Sequence, residues 1–177
     1  MKLKSAFVTS VILGLLLVGA SAVDLQIDPA KIDSTDDIPG WEIFKYVKEG
    51  TVALETVGDD KALKLSTDPG DKGLMLIVKD AVDCNKGGKI TFVFSAKGAG
   101  RLGGGAYLLD GAGKTIGGIY TPVKDVKSDD EWAEFHDEKD IPTEVDGLIV
   151  AKVQPYLKVL PESEVSLKSL DCKISGN

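Results

Sequence analysis

The sequence predicts an all-β protein, an antiparallel β-sandwich. Three observations carry that expectation. Short β-prone runs follow one another along the chain, Gly, Pro and Asp clusters punctuate them, and the clearest runs alternate apolar and polar residues.

The elements can be justified in order. The N-terminus, MKLKSAFVTSVILGLLLVGASAVD, opens with Lys2 and Lys4, continues as an apolar run over 6–19 and closes on Ala20-Ser21-Ala22. A basic start, an apolar middle and a small-x-small end are the layout of a secretory signal peptide. The run is short of the roughly 20 residues that span a bilayer as a helix. Residues 1–22 are therefore expected to be a signal-peptide helix. Residues 23–177 are expected to be a single β-sandwich domain. A short first strand over 23–27 leads into the polar segment 28–40, read as a mobile loop. The runs WEIFKYV, TVALETV and ALKLS follow, then GLMLIVKDAV, KITFVFSAK and GAYLLD. KTIGGIYTPV, EWAEFHDEKDI, DGLIVAKVQPYLKVL and EVSLKSLDCKI complete the series. In KITFVFSAK, Ile90, Phe92, Phe94 and Ala96 share one face, with Lys89, Thr91, Ser95 and Lys97 on the other. In GLIVAKVQPYLKV, Ile149, Ala151, Val153, Leu157 and Val159 form one face. Lys152, Gln154, Tyr156 and Lys158 form the opposite one. Period-two faces mean half-buried strands, one side on the core and one facing water or ligand. Pro155 would interrupt a ladder, so an edge or bulge is expected there. Asp110-Gly111-Ala112-Gly113 reads as a hairpin turn.

Charge and cysteine content narrow the partners. The chain carries a net charge of −7, and loss of Lys2 and Lys4 with the leader makes it −9. An acidic protein repels phosphate backbones, so nucleic acid is excluded as a partner, and an anionic membrane surface after leader removal with it. Export predicts a secreted or periplasmic protein. In an oxidising compartment the two cysteines, Cys84 and Cys172, read as a disulfide, with two buried thiols as the alternative. The bridge would close a loop of roughly ninety residues, worth about 4 to 5 kcal/mol in the chain-entropy model.

Several motifs dissolve on inspection. Residues 98–103 match G-x-G-x-x-G, but a strand follows where a dinucleotide site needs a helix, so a glycine-rich inter-strand loop is expected. Gly113-Lys114-Thr115 lacks the opening glycine of a phosphate loop, since 108 is Leu108. His136 is the only histidine, which rules out a multi-histidine metal site, and it sits in a polar stretch read as a solvated face. The acidic runs DSTDD and SDDE do not follow the EF-hand pattern. No catalytic group, metal site or cofactor is expected.

The order of features resembles a known family. Trp41 follows a Pro-Gly turn, residues 61–65 form a Lys-Ala-Leu-Lys-Leu strand, and Ile90 to Lys97 form the next. Trp132, Phe135, Ile141 and Pro142 then make a W..f…IP strand. Over roughly 39–170 this is similar to the galactose-binding-domain-like jelly rolls, in particular CenC-type carbohydrate-binding modules of families 4, 9 and 22. The resemblance implies a non-catalytic module binding a poly- or oligosaccharide on a concave sheet or at end loops. It implies packing roles for Trp41 and Trp132. The candidate ligand-binding residues on solvent-facing positions are Tyr107, Tyr120, Gln154 and Tyr156, with Arg101 from the glycine-rich loop. The pattern departs at Lys168-Ser169, where the family often has an acid that binds a structural calcium, so calcium is not expected there. Two rivals stay open: a structural or protein-interaction sandwich without sugar binding, and a small secreted lyase or hydrolase.

Overall fold

The structure, a computed structural model, describes residues 23–44, 49–84, 87–127 and 131–175. The expected signal peptide lies outside the described residues. The fold is an all-β antiparallel sandwich. Its framework is one strand, β7 (Gly88–Leu109), that runs for 22 residues through both layers.

The first layer forms around the front half of β7. There β7 pairs with β10 (Ala133–Ile141) on one side and β14 (Ser163–Ser175) on the other. The far edge of β14 is shared by β1 (Val23–Ile27) and β4 (Asp60–Thr67), and β3 (Thr51–Val57) pairs with β4. The second layer forms around the back half. There β7 pairs with β13 (Lys152–Val159) on one side, and with β8 (Thr115–Tyr120) and β9 (Lys124–Val126) on the other. β13 carries β5 (Leu74–Val78) and β6 (Val82–Asp83), and β2 (Trp41–Ile43) pairs with β5. A separate hairpin joins β11 (Glu144–Val145) to β12 (Leu148–Ile149).

The alternation in 89–97 is realised: Ile90, Phe92, Phe94 and Ala96 are fully buried between the layers. Phe94 stacks on Phe135 with ring centroids 5.0 Å apart. Trp41 is 1% exposed and sits in the same core, as expected. The Asp110 turn also forms. Asp110 N–H donates to the Lys114 carbonyl at 2.9 Å, and Asp110 Oδ1 accepts from the N–H of both Ala112 and Lys114.

Five expectations are corrected. The glycine-rich stretch 98–103 is not a loop but the place where β7 passes between layers. Gly98 takes φ +112°, a region open to glycine, and a Cβ on Gly100 would lie 2.5 Å from Ser163 Cβ, so the strand bends tightly against β14. Segment 28–40 is pinned rather than loose: it makes a short 3-10 turn at Pro29–Lys31 and buries Ile32 and Ile38 to 1% and 2% exposure. Ile149 does not share the inward face of β13. It stands 69% exposed on the β11–β12 hairpin, because β12 ends at Ile149 and β13 begins only at Lys152, with Val150 and Ala151 between them outside either strand. Pro155 lies in a central strand, not on an edge. It falls where the ladder on one side breaks, between Val153 opposite Val82 and Tyr156 opposite Ile77, so its missing N–H leaves no gap.

The fifth correction concerns the cysteines. No disulfide joins Cys84 to Cys172; both are buried thiols. Cys84 follows β6 in the second layer, its N–H donating to the Ala151 carbonyl at 2.8 Å. Cys172 lies within β14 in the first layer, opposite Leu25 and Phe92. Burial, reinforced by Asp83, pushes the Cys84 thiol up to about 11. The C-terminal strand is held instead by β1, β4 and β7.

Candidate functional site

The outward face of the second layer holds the site. Antiparallel register sets its residues in rows. Tyr107 of β7 lies opposite Gln154 of β13 and Gly118 of β8. Gly105 lies between Tyr156 and Tyr120 in the next row. Gly103 lies opposite Lys158, which in turn faces Met75 of β5. Without side chains at 103 and 105 the surface is sunk, and a cleft of about 310 Å³ opens over it.

Tyr156 is laid down on that floor. A Cβ on Gly105 would come within 2.5 Å of its ring, and the side chain is only 3% exposed. Its centroid is 5.2 Å from that of Tyr107 and 6.4 Å from that of Tyr120, at tilts of 46° and 59°. Phe44 continues the row 6.1 Å from Tyr107. Met75 and Ile77 join Tyr156 in a small apolar cluster, with Phe44 and Tyr107 packed against it. On the β8 side the wall is Tyr120, Thr121 and Val123. Tyr120 is 66% exposed. Thr121 is buried, and its Oγ1 accepts from Gly104 N–H at 3.0 Å while donating to the Gly104 carbonyl at 3.1 Å. That pair of bonds fixes the wall to the floor. Lys158 and Leu160 close the β13 side.

The electrostatics are simple. Lys158 is the single charged side chain among the described lining residues. Burial pushes the Tyr156 phenol well up, with the neighbouring Tyr120 and Tyr107 phenols adding to it. Burial first, then Tyr120, raises Tyr107 as well. Both phenols are neutral donors and acceptors at physiological pH.

Of the residues singled out in the sequence, Tyr107, Tyr120 and Tyr156 are brought together. Gln154 shares their face but lies outside the lining. Its Nε2 donates to the Val78 carbonyl at 2.9 Å, where the β13 ladder breaks between β6 and β5. Arg101 is on the same face beyond Leu160, exposed and not part of the lining. Its main chain is fixed by a bond from Leu160 N–H to its carbonyl at 2.9 Å. The sequence reading missed Met75, Thr121, Val123, Lys158 and Leu160 as cleft residues. Alternation had already put Lys158 on the Tyr156 face. Met75 was hidden because every residue of β5 is buried, which erases the period-two signal. Thr121 and Val123 lie in a segment without periodicity.

Other candidates sit elsewhere. Trp132 is not in the core. It is half-buried on the outward face of the first layer, with Lys97 Nζ 5.2 Å and Lys168 Nζ 5.6 Å from its ring centroid. Lys168 falls at a register shift in β14, and its ammonium lies 2.8 Å from Asp60 Oδ2, so a cation already occupies that place. That pairing is the main reason the Asp60 carboxyl is held below its ordinary value. His136 is exposed on β10. Its neighbour Asp137 is buried and paired to Lys124 at 2.8 Å, an ion pair that ties β10 to β9 across the layers. Among the described residues no three metal-ligating side chains gather.

No family model matches the chain, and no curated protein matches it in sequence. Solved structures match it in shape. The CBM22-1 xylan-binding domain from Paenibacillus barcinonensis superposes with a TM-score of 0.55 at 15% identity, over 90% of this chain and 97% of that one. The CBM22-1–CBM22-2 tandem domain from the same bacterium gives 0.58 at 16% identity, over 90% of this chain and 47% of that one. The enzymatically active domain of bacteriophage CBA120 tailspike protein 4 gives 0.51 at 14%, over 80% of this chain but 20% of that one. These likenesses show the fold alone, a β-sandwich of the kind those domains share. A fold that recurs in such different settings leaves function to be argued from the site.

Proposed function

We propose that this chain is a non-catalytic carbohydrate-binding module that takes a poly- or oligosaccharide in the cleft framed by Tyr107, Tyr120 and Tyr156. One observation carries the reading: Tyr120, 66% exposed, stands over a glycine-floored depression with Tyr156 on the other side. Sugar C–H faces pack on aromatic rings, and phenol hydroxyls pair with sugar hydroxyls. The cleft volume, about 310 Å³, is at the small end for ligand sites, which suits a short stretch of a polymer crossing the surface. The xylan-binding name attached to a domain of the same fold supports xylan as the first glycan to try. A binding role without catalysis is supported by the described lining residues, which include no carboxylate pair and no histidine. The leader over 1–22 supports export to the periplasm or the outside, where such polymers are met.

The test is a screen of the protein against soluble and insoluble polysaccharides by affinity electrophoresis and tyrosine fluorescence. Binding is expected, and Tyr120→Ala is expected to weaken it about tenfold with an unchanged melting temperature. A protein that retains no glycan overturns the reading. Docking of a protein would then lead, favoured by Leu148 and Ile149, 51% and 69% exposed on the β11–β12 hairpin.

A further inference from the structure

We infer that the glycan carries an anionic group, a uronic-acid carboxylate or a sulfate ester; this rests on the glycan-binding reading above. The charge in and around the cleft points to it. Lys158 is the one ionic side chain in the described lining, and no carboxylate lines the cleft. Of the ten lysines within the described strands, five form an ion pair: Lys64 with Glu164, Lys89 with Glu138, Lys124 with Asp137, Lys152 with Asp83 and Lys168 with Asp60. Lys158 makes no ion pair among the described residues, and its Cε lies beside Gly73, 3.4 Å from where a Cβ there would stand. Arg101, two residues along β7 from the Gly103 floor on the same face, is likewise without an ion pair among the described residues. Asp125, the residue opposite Arg101 in register, has its carboxylate 3.6 Å from the Lys127 ammonium.

On a chain with a net charge of −7, a cleft whose described lining holds one cation and no acid runs against the average. A neutral sugar draws little from an ammonium that water already solvates. A carboxylate or sulfate replaces that water with a charge-assisted hydrogen bond beside apolar rings, where screening is weaker. Lys158 therefore sets preference among glycans, while the tyrosines supply the shared stacking.

The experiment compares the full chain on polygalacturonate or glucuronate-bearing xylan with the same polymers after carboxyl reduction, and on a sulfated galactan with its desulfated form. Preference of about tenfold or more for one acidic form over its neutral counterpart is expected, and it should shrink as salt rises. The arm that shows it names the group. Lys158→Gln should abolish the preference for the acidic form while keeping the melting temperature. Equal affinity for acidic and neutralised polymers overturns the inference and leaves the glycan reading standing. Absence of binding to any polymer removes both.

Discussion

Replacing Gly105 or Gly103 by alanine separates the two roles of the cleft floor. At Gly105 a new Cβ would lie 2.5 Å from Tyr156 Cζ and Oη and 2.8 Å from the Ile119 carbonyl oxygen. Comfortable carbon contacts are about 3.5–4.0 Å, so about 1 Å must be found. Ile119 is held opposite Ala106 in the β7–β8 ladder, so the ring yields first. A tyrosine buries on the order of 200 Å². Lifting one that is 3% exposed until a third of it is wet costs about 1.5–2 kcal/mol, at about 25 cal/mol per Å². Overpacking measured directly costs about 1–3 kcal/mol. The reduced freedom of the unfolded alanine chain returns about 0.4–1 kcal/mol. A net loss of about 1–2 kcal/mol remains, which lowers the melting temperature of a domain this size by about 3–6 °C. At Gly103 the nearest atom is Val123 Cα at 3.4 Å, an ordinary contact. Gly103→Ala should therefore hold or slightly raise the melting temperature while its methyl fills the floor and weakens glycan binding severalfold. Calorimetric melting and titration on both variants read the two effects. An unchanged melting temperature for Gly105→Ala would mean that Tyr156 is not seated there. Full-strength binding by Gly103→Ala would place the ligand on another surface.

Three further outcomes are expected. Lys124→Met leaves the 8%-exposed Asp137 without its cation; because Lys124 is itself partly exposed, the cost in urea denaturation is about 2–3 kcal/mol, largely recovered by adding Asp137→Leu. A single variant as stable as the parent would show that the pair does not bind the layers. With its thiol pushed up to about 11, Cys84 has on the order of a thousandth of its population as thiolate at pH 8. Iodoacetamide followed by peptide mass analysis should modify it only after unfolding, and rapid labelling of the native protein would contradict its burial. Asp60 is held low chiefly by Lys168, and Glu138 chiefly by Lys89. Depressed carboxylates stabilise the fold above their ordinary values of 3.8 and 4.5, and that support is lost as pH falls through the lowered values. Lys168→Met and Lys89→Met should flatten the acid limb of a stability–pH curve; an identical limb would show that the pairs contribute nothing.

The sandwich was legible wherever one strand face was wet. The front half of β7 and the outward face of β13 alternate cleanly, and that alternation brought Tyr156 into the candidate site. Reading failed where both faces are buried or where the chain turns without a pattern. β5 is dry on both sides, so Met75 looked like any core residue. Ile149 continued the phase of β13 on paper, yet it belongs to β12, and two non-strand residues part it from β13. The glycines of 98–103 looked like a loop because nothing local distinguishes a glycine-rich bend from a glycine-rich crossing. The cysteine pairing was inferred from compartment, which says nothing about where two side chains point. Trp132 was misplaced because cation–π partners on distant strands leave no trace in its neighbours.

Because β7 is common property of both layers, each needs one half of the same strand to be complete. Such long-range closure comes late and favours assembly in one cooperative step. The cleft is therefore mounted on a girder rather than a flap. Its amides should be among the last to exchange with solvent, and a ligand would meet a surface that needs little ordering to receive it.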